Sequence, residues 1–471
     1  MPFASQPRPE TLKSIKNAEP LPFWLDDPSR PEAVEQLTAA TTADLLIIGA
    51  GFTGLWAALQ AKEANPARDI VLIEAGEAGS AASGRNGGFM EASITHGFEN
   101  GRERWPAEIA TLLRMGHENL AEIESTISRL KIDCDFLRSG DLVVATEPYQ
   151  LQEMQASLKE RLAYGENVSW LERDRVQQHV NSPTYLGAIQ NMNVAMLNPA
   201  RLAWGLRKAC LNLGVRLYEH TQATQIVEEG NVICVQTPLA QIRAARVALA
   251  TNAFPPLLKR LSYYVVPVYD YVLVTEPLSA AQRDEIRWHN RQGISDAGNQ
   301  FHYYRTTADG RILWGGYDAV YYPNNGMGSH LEHNQASFGR LAEHFFQTFP
   351  QLGGLRFTHA WGGAIDTCSR FSAFWGSAQN GRTAYALGYT GLGVGASRFG
   401  ARVMLDMLDG QSNERIKLEM VRQKPVPFPP EPLRSPIINL TRYSLDQADR
   451  NQGRRNLWLR TLDALGLGFD S

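Results

Sequence analysis

Cysteine is scarce in this chain, with four residues in 471 and no CxxC pair among them. This spacing excludes a zinc finger and a thioredoxin-type redox site, and it is typical of a protein kept in a reducing compartment. We expect no metal site. The four cysteines are Cys134, Cys210, Cys234 and Cys368.

An excess of charge of one sign is also missing, because 46 basic residues stand against 49 acidic ones. Nucleic acid is therefore not expected as a partner, since phosphate binding needs a strongly basic face. The first twenty residues contain no apolar export segment, and the longest apolar stretch, 45–61, is interrupted by three glycines. A membrane helix needs about 20 apolar residues. We therefore expect a cytoplasmic protein without membrane contact.

A glycine-rich turn separates an apolar strand from a helix in segment 44–65. In this GxGxxG motif Gly49 makes the tight turn, Gly51 lets the backbone approach a pyrophosphate, and Gly54 permits close helix–strand packing. The helix N-terminus attracts phosphate groups. Glu74 follows 20 residues after Gly54, at the end of a second strand, where a carboxylate can hold ribose hydroxyls and would repel NADP. The context predicts dinucleotide binding.

Two further glycine-rich segments favour FAD over NAD. The loop SGRNGG at 83–88 is small and polar, so its backbone can approach a flat ring, and Arg85 can offset negative charge. The segment GYTGLGV at 388–394 leads into a predicted helix, whose N-terminus suits the electron-rich edge of a reduced flavin. Alone, this second segment also fits an ordinary strand–helix turn. Together with the first motif it indicates a flavin.

With these motifs, the sequence resembles the FAD-dependent oxidoreductases of the D-amino acid oxidase, glycine oxidase and sarcosine oxidase superfamily, most of all the γ-glutamylputrescine oxidase branch. The resemblance spans about residues 22–410 and includes ALATNAF, VTEPL, YYRTTADGRILWGG and HAWGG. It implies FAD contacts at Gly49, Gly51, Thr53, Gly54, Glu74, Ala75, Arg85, Asn86, Gly87, Gly88, Thr224, Asn252, Gly391, Leu392, Gly393 and Val394.

The resemblance also implies an activity on a small amine or an N-substituted amino acid. A hydride would pass from the C–N unit to the flavin, the imine would hydrolyse, and the electrons would go to O2. One alternative is a dehydrogenase of the same fold that passes electrons to a quinone or carrier protein. Another is a flavin-binding interaction protein without turnover. The oligomeric state is not predicted.

Two departures from the sarcosine oxidase pattern concern the substrate. Gly395 stands where those enzymes have a carboxylate-binding Lys, and Phe89–Ser93 contains no counterpart of their Arg. Glycine and sarcosine are therefore expected to be poor substrates. The 83–88 loop has no His, and Cys368 falls beyond the position of the family's flavin-attaching Cys. We therefore expect non-covalent FAD.

Tyrosine is concentrated in one region, since nine of the sixteen tyrosines lie within 263–322. Aromatic faces attract cations, which predicts a cage for an amine, although strands favour aromatic residues in any case. His302 is either an acid–base group or a hydrogen-bonded structural residue, and Arg305 either holds a carboxylate or forms a strand-edge salt bridge. No catalytic residue is assigned. The candidates for the substrate pocket are Tyr269, Tyr271, His302, Tyr304, Arg305 and Trp361.

The order of the elements predicts an α/β fold in which a discontinuous, Rossmann-like FAD-binding domain is interleaved with a β-rich substrate domain. Apolar periodicity predicts a helix over 106–131. We expect a lead-in at 1–43, an FAD-binding domain at 44–105, 198–260 and 356–410, a substrate domain at 106–197 and 261–355, and an irregular tail at 411–471.

Overall fold

The computed structural model of the protein describes residue 3 and residues 6–467. Its strands are β1 (Thr41–Ile48), β2 (Ile70–Ile73), β3 (Phe89–Glu91), β4 (Asp141–Ala145), β5 (Val168–Glu172), β6 (Gly187–Asn191), β7 (Val194–Met196), β8 (Arg216–Tyr218), β9 (Gln225–Glu229), β10 (Val232–Gln236), β11 (Gln241–Leu249), β12 (Val266–Thr275), β13 (Gly293–Asp296), β14 (His302–Thr306), β15 (Ile312–Gly316), β16 (Val320–Tyr321), β17 (Phe357–Thr367), β18 (Phe374–Ala378) and β19 (Thr383–Leu387).

The α-helices are α1 (Pro9–Ser14), α2 (Phe52–Ala64), α3 (Ala82–Arg85), α4 (Gly97–Arg104), α5 (Ile109–Leu130), α6 (Pro148–Ala163), α7 (Arg173–His179), α8 (Pro199–Asn212), α9 (Ala280–Ile286), α10 (Gln335–Thr348), α11 (Gly393–Leu408), α12 (Glu414–Lys417), α13 (Glu419–Arg422), α14 (Arg434–Arg450) and α15 (Leu457–Ala464). Short 3-10 turns occur at Phe23–Leu25, Lys259–Tyr263, Pro323–Asn325, Ser329–Leu331 and Pro350–Leu352. Among the described residues, no helix combines the length and the apolar character needed to cross a membrane.

The first sheet is parallel at its centre, where β19, β11, β1, β2 and β8 lie side by side. β18 and the β9–β10 hairpin add antiparallel strands at one side. Leu45–Ile48 and Ile70–Ile73 are buried throughout, because one apolar cluster lies on each face of the sheet. The continuous apolar runs in the sequence therefore are central parallel strands, as the alternation-free pattern predicts.

The second sheet has the order β16-β12-β15-β14-β13-β4-β6-β5, and β17 pairs with the other side of β12. Its two faces pack against different parts of the molecule. Along β12, Tyr269, Tyr271 and Leu273 lie in a core cluster with residues of α10. Val272 and Val274 point to the opposite face and pack with Trp24 and Trp361. The period of two along a strand thus separates a core face from a face directed toward the first sheet's domain.

Two segments differ from the expected domain division. β17 pairs with β12 along its length, so Phe357–Thr367 belongs to the second sheet. α5, predicted at 106–131, contributes apolar residues to the core beneath the first sheet. We propose that β17 belongs to the substrate domain and α5 to the FAD-binding domain. Residues 411–467 are also not irregular, because they contain helices α12 to α15.

Candidate active site

The first glycine motif forms a tight turn after β1. Gly49 has a φ of +104°, and a Cβ atom there would overlap the carbonyl oxygen of Ala250. A Cβ atom on Gly54 would overlap the carbonyl oxygen of Gly49, so both positions require glycine. Gly51 is the N-cap of α2, and the Phe52 N–H beyond it donates to the Ser83 hydroxyl at 2.8 Å. The start of α2 therefore offers a glycine-lined helix N-terminus of the kind that binds phosphate.

Glu74 is tied to this turn by hydrogen bonds. Its carboxylate accepts the Ala50 N–H at 2.8 Å and the Gly76 N–H at 2.9 Å. Burial raises the pKa of Glu74, and these backbone donors oppose the shift. Ala75 follows it at an exposed position. Each carboxylate oxygen has more than one lone pair, so the group can also accept a hydrogen bond from a ribose hydroxyl.

The C-terminal glycine motif meets the first motif in space. The Thr53 hydroxyl donates to the Tyr389 hydroxyl at 3.1 Å, which links the first turn of α2 to the turn before α11. The Asp366 carboxylate accepts the Gly388 N–H at 2.7 Å and holds this turn. Gly391 has a φ of +92°, and a Cβ atom there would find open space. The N-terminus of α11 is therefore accessible, with its first N–H groups unpaired within the helix.

The structure brings most of the predicted cofactor residues together at the carboxyl ends of the parallel strands. Asn252, with a φ of +50°, follows the Ala250 carbonyl that contacts the Gly49 turn. Leu392 is the N-cap of α11, and Gly393 and Val394 begin its first turn. Thr224 is an exception, because its N–H and its hydroxyl both donate to the Gln236 carbonyl at 2.8 and 3.1 Å. Its polar groups are thus used by the edge of β10.

The 83–88 loop is held by two indole groups. Trp24 Nε1 donates to the Asn86 carbonyl at 2.8 Å, and Trp361 Nε1 donates to the Arg85 carbonyl at 3.0 Å. The Arg85 guanidinium forms an ion pair with Glu332 at 2.5 Å. Trp361 was predicted as a wall of the substrate pocket, but its N–H supports the loop. Arg85 likewise directs its charge to Glu332.

Arg305 is a positioning residue and not an open carboxylate-binding group. Its side chain is fully buried, and Nη1 donates to the Leu197 carbonyl at 2.7 Å and the Gly88 carbonyl at 3.3 Å. Burial lowers its pKa to about 10. Nη2 lies 3.9 Å from Asp135, so neither a bound carboxylate nor a close strand-edge salt bridge describes this residue. It fixes Gly88 at the end of the glycine loop.

The predicted tyrosine cage is wrong for the residues that were selected. Tyr269, Tyr271 and Tyr304 lie in the core cluster between the second sheet and α10. Tyr304 shares a hydrogen bond with Tyr185 at 2.9 Å. His302 is fully buried between Asp296, 2.7 Å from Nδ1, and His344, 2.9 Å from Nε2, as a structural histidine would be. Strand alternation turns these four side chains toward the core face of the second sheet. The Arg85 charge still acts on the Tyr269 hydroxyl and opposes the rise of its pKa.

Their neighbours on the other face, Asp270 and Tyr303, approach the loop instead. The Tyr303 hydroxyl donates to Asp270 Oδ2 at 2.6 Å. The Tyr303 ring packs on Gly87, where a Cβ atom would lie 2.7 Å from the ring. Asp270 pairs with Gly363 across β12 and β17, and Gly363 adjoins the Arg85 side chain. Burial raises the pKa of Asp270 to about 6, although the Tyr303 hydrogen bond opposes this shift.

Sequence reasoning missed Asp270 and Tyr303, although a signal was available. Each is flanked in its strand by aromatic residues that pack in the core, so the period of two assigns it to the opposite face. The alternation alone does not say which face is the core. That choice depends on the packing of α10, which no local pattern reports.

Cys368 does not provide an attachment point for a cofactor. Its thiol is buried and donates to the Ser372 carbonyl at 3.1 Å and the Gly388 carbonyl at 3.4 Å. Burial raises the pKa of this thiol, which disfavours the thiolate that a covalent bond to flavin would require.

The site fits a dinucleotide carrying a flavin. Two helix N-termini, those of α2 and α11, converge on the carboxyl ends of parallel strands, and Glu74 stands beside the first. The open space at Gly391 gives access to the second. This arrangement can hold a pyrophosphate, a ribose and a polarised ring edge.

Comparisons with known proteins agree with this geometry. The family model described as FAD dependent oxidoreductase matches residues 44–407. Gamma-glutamylputrescine oxidoreductase of Escherichia coli is 31% identical over 387 residues, which cover 80% of this chain and 86% of that protein. Glycine oxidase from Geobacillus kaustophilus superposes with a TM-score of 0.66 at 16% identity, over 79% of this chain and 96% of that one. L-proline dehydrogenase from P. horikoshii gives a TM-score of 0.66 at 17% identity, over 79% and 95%.

The two solved structures share the fold of this chain, and the family match extends over both glycine motifs, the acidic residue between them and the second sheet. The resemblance read from the motifs is thereby confirmed, as is the α/β fold. The chain belongs to the FAD-dependent oxidoreductase family, and it is an enzyme that uses FAD as its cofactor.

Proposed function

We propose that this enzyme oxidises the C–N bond of an amine or N-substituted amino acid that binds beside Asp270 and Tyr303. The observation that carries the proposal is the Asp270 carboxylate, which faces the glycine loop at the end of a 2.6 Å hydrogen bond from Tyr303. Amines are ammonium ions at neutral pH, and a partly buried carboxylate attracts such a cation. The same carboxylate is an acceptor for the proton that the ammonium must lose before oxidation.

The cofactor would be held non-covalently by residues already described. The N-terminus of α2 would bind the pyrophosphate, Glu74 the ribose, and the N-terminus of α11 the pyrimidine edge of the flavin. Bound FAD supplies the acceptor for the hydride that leaves the carbon next to nitrogen. Asp270 orients the amine and takes its proton, and Tyr303 keeps Asp270 ionised by donating to Oδ2. Water then adds to the iminium carbon, and the adduct breaks down to a carbonyl product and ammonia or an amine.

The surroundings support an amine over a small amino acid held by its carboxylate. Gly395 and Phe89–Ser93 contribute no cation, and Nη1 of the fully buried Arg305 donates to two backbone carbonyls. A γ-glutamyl-polyamine is the substrate class that fits best, and the relative from Escherichia coli is named for such a compound.

We propose O2 as the electron acceptor, taking up two electrons and two protons to leave as hydrogen peroxide. The fold does not discriminate here, since a protein named as an oxidase and one named as a dehydrogenase superpose equally well. The alternative is transfer to a quinone or carrier protein. Oxygen uptake measured against reduction of an artificial dye, with one substrate, decides between them.

The test of the proposed function is anaerobic bleaching of the bound flavin by a panel of amines. Wild-type enzyme should bleach with at least one amine, and Asp270→Asn should bleach far more slowly. Asp309→Asn is the matched control, because Asp309 is a largely exposed aspartate paired with Arg311. An enzyme that no amine bleaches would overturn the proposal, and the third reading, flavin binding without turnover, would replace it.

A further inference from the structure

Three charged side chains lie near the end of β3, and two of them have a buried polar atom without a hydrogen-bond partner among the described residues. Arg161 is only 8% exposed, and its Nε has no hydrogen-bond partner among the described residues. Oδ1 of Asp141 is also buried and also has no hydrogen-bond partner among the described residues. Burial raises the pKa of the Glu91 carboxyl, and Arg161 is the cation that acts on both acids. Buried polar atoms without hydrogen-bond partners are costly, so an arrangement of this kind favours a ligand that completes it.

The backbone brings Glu91 and Asp141 together. Glu91 pairs with Val194 across β3 and β7, and the Val194 carbonyl accepts the N–H of Gly140 at 3.1 Å. Asp141 follows directly and pairs with Gly293, against which the ring of Phe89 packs. Phe89 and Glu91 are two residues apart on one strand, so their side chains share a face.

Arg161 reaches the same place from α6. One turn earlier on this helix, the Ser157 hydroxyl donates to Glu99. The Arg161 carbonyl accepts the Glu166 N–H at 3.1 Å, and the Glu166 carboxylate accepts from Asn193 at 3.1 Å. Asn193 is the neighbour of the residue opposite Glu91. The other acids of this region, Glu99 and Glu166, thus have partners within the protein.

The charges of Glu91, Asp141 and Arg161 indicate which charges a ligand of this cluster would carry. Burial raises the pKa of Asp141 to about 8, and the nearby Glu91 charge adds to the shift. Two carboxylates that repel each other are stabilised by an ammonium ion between them. An unpaired guanidinium, in contrast, presents a planar donor fork that matches a carboxylate. One ligand that carries both charges would satisfy all three side chains.

This cluster lies on the substrate side of the site. Phe89 contacts Tyr303, with ring centroids 5.9 Å apart, and Tyr303 holds Asp270. The step from Phe89 to Glu91 adds about 7 Å along the strand. A Cβ atom on Gly395, in the first turn of α11, would lie 2.8 Å from the Glu91 carbonyl. A substrate oxidised beside Asp270 would therefore extend along Phe89 toward Glu91.

We propose that Glu91, Asp141 and Arg161 bind the end of the substrate remote from the oxidised C–N bond, and that this end is a zwitterionic amino-acid head. Glu91 and Asp141 accept its ammonium group, and Arg161 binds its carboxylate. The aliphatic part lies along Phe89. The assignment rests on the proposed function, because it takes the oxidised amine to lie beside Asp270.

The test uses three diamine derivatives of nearly equal length on the holoenzyme. N-(γ-glutamyl)putrescine carries both head-group charges, N-glutarylputrescine lacks the ammonium, and N-(4-aminobutanoyl)putrescine lacks the carboxylate. The measurements are kcat/KM and the Kd from the perturbation of the flavin spectrum. Wild-type enzyme should prefer the first compound over each of the others by roughly 10- to 100-fold, the effect of one charged hydrogen-bonding group.

The variants separate the two charges. Arg161→Met should no longer prefer N-(γ-glutamyl)putrescine over the compound that lacks the carboxylate. Glu91→Gln should no longer prefer it over the compound that lacks the ammonium. In each case Kd and KM should rise while kcat stays close to that of wild type. Arg102→Met is the control, because Arg102 pairs with Glu160 on the exposed side of this region. Arg161→Gln, which also removes the charge but keeps a polar group, replaces Arg161→Met if the latter fails to fold.

The outcomes are distinguishable. If the wild-type enzyme oxidises all three compounds equally, or if Arg161→Met and Glu91→Gln lower kcat/KM uniformly, the head-group assignment is wrong while the amine oxidation stands. If none of the compounds, and no simpler amine, bleaches the flavin, the proposed function itself fails.

Discussion

Asp270→Asn should make the protein more stable and the enzyme nearly inactive. The pKa of Asp270 is raised by burial from 3.8 to about 6. A carboxyl whose pKa is higher in the folded state opposes folding once it ionises. The cost therefore grows from pH 3.8 to about pH 6 and stays constant above that. A shift of this size corresponds to about 3 kcal/mol at most.

Asparagine removes the charge and keeps one oxygen for the Tyr303 hydrogen bond, while its NH2 group replaces the oxygen that accepts the Tyr271 N–H, which makes the charge effect an upper limit. The free energy of unfolding should therefore rise by up to about 3 kcal/mol at pH 8 and by only roughly 0.5 kcal/mol at pH 4. Loss of the proton acceptor should lower kcat/KM by about 10²- to 10⁴-fold. In the wild-type enzyme, kcat/KM should fall as the pH drops below about 6.

Urea unfolding of the holoenzyme at the two pH values, with FAD content measured in parallel, gives the stability change. Stopped-flow flavin reduction gives the kinetic one. A variant with wild-type kcat/KM and an unchanged acid limb would refute the role of Asp270. An equal stability change at both pH values would refute the electrostatic reasoning, because a packing effect does not depend on this titration.

Four further results are expected. Acid or heat precipitation should release the FAD into the supernatant, since the Cys368 thiol is buried and hydrogen-bonded; flavin that stays with the protein pellet would show covalent attachment. Gly51→Val should abolish FAD binding while the circular dichroism spectrum stays native, because an added Cβ meets only the Ser83 hydroxyl, at 2.9 Å. Stoichiometric FAD in this variant would contradict the placement of the pyrophosphate. Glu74→Ala should weaken FAD binding less, by about 1.5–3 kcal/mol. Sarcosine and glycine should have a lower kcat/KM than long-armed amines, because no free cation stands at Gly395 or in Phe89–Ser93; a preference for either would show that a carboxylate-binding group was overlooked.

The cofactor half of the site could be predicted because its requirements are local. Segment 44–74 contains the residues for a tight turn, for a helix start and for an acid at the end of the next strand. Gly49, Gly54 and Glu74 occupy the expected places. The helix predicted over 106–131 is present as Ile109–Leu130. The contact of Thr224 with Gln236 was not foreseen because it depends on a hairpin register that composition does not give, and the role of Thr224 toward FAD stays a prediction.

The substrate half could not be predicted in the same way. Tyr269 and Asp270 are adjacent, so their side chains lie on opposite faces of the strand. If the wrong face is assigned to the core, every core residue of the strand is taken for a site residue and every site residue for a core residue. The segment 411–471 was expected to be irregular because of its prolines, yet α14 begins just after them. Glu91 and Asp141 are 50 residues apart in the sequence, and the pairing through Val194 and the packing of Phe89 on Gly293 bring them together.

The buried tyrosines nevertheless bear on the chemistry. Tyr304 is hydrogen-bonded to Tyr185, and Tyr271 to Tyr322 at 2.8 Å, so their hydroxyls are satisfied inside the core. Satisfied buried networks hold their strands rigidly. Since Tyr304 and Tyr271 are sequence neighbours of Tyr303 and Asp270, this rigidity fixes the backbone from which the two polar side chains extend. A base must be held within a fraction of an ångström of its target. In the proposed mechanism, the aromatic core would contribute by positioning Asp270 and not by contacting the amine.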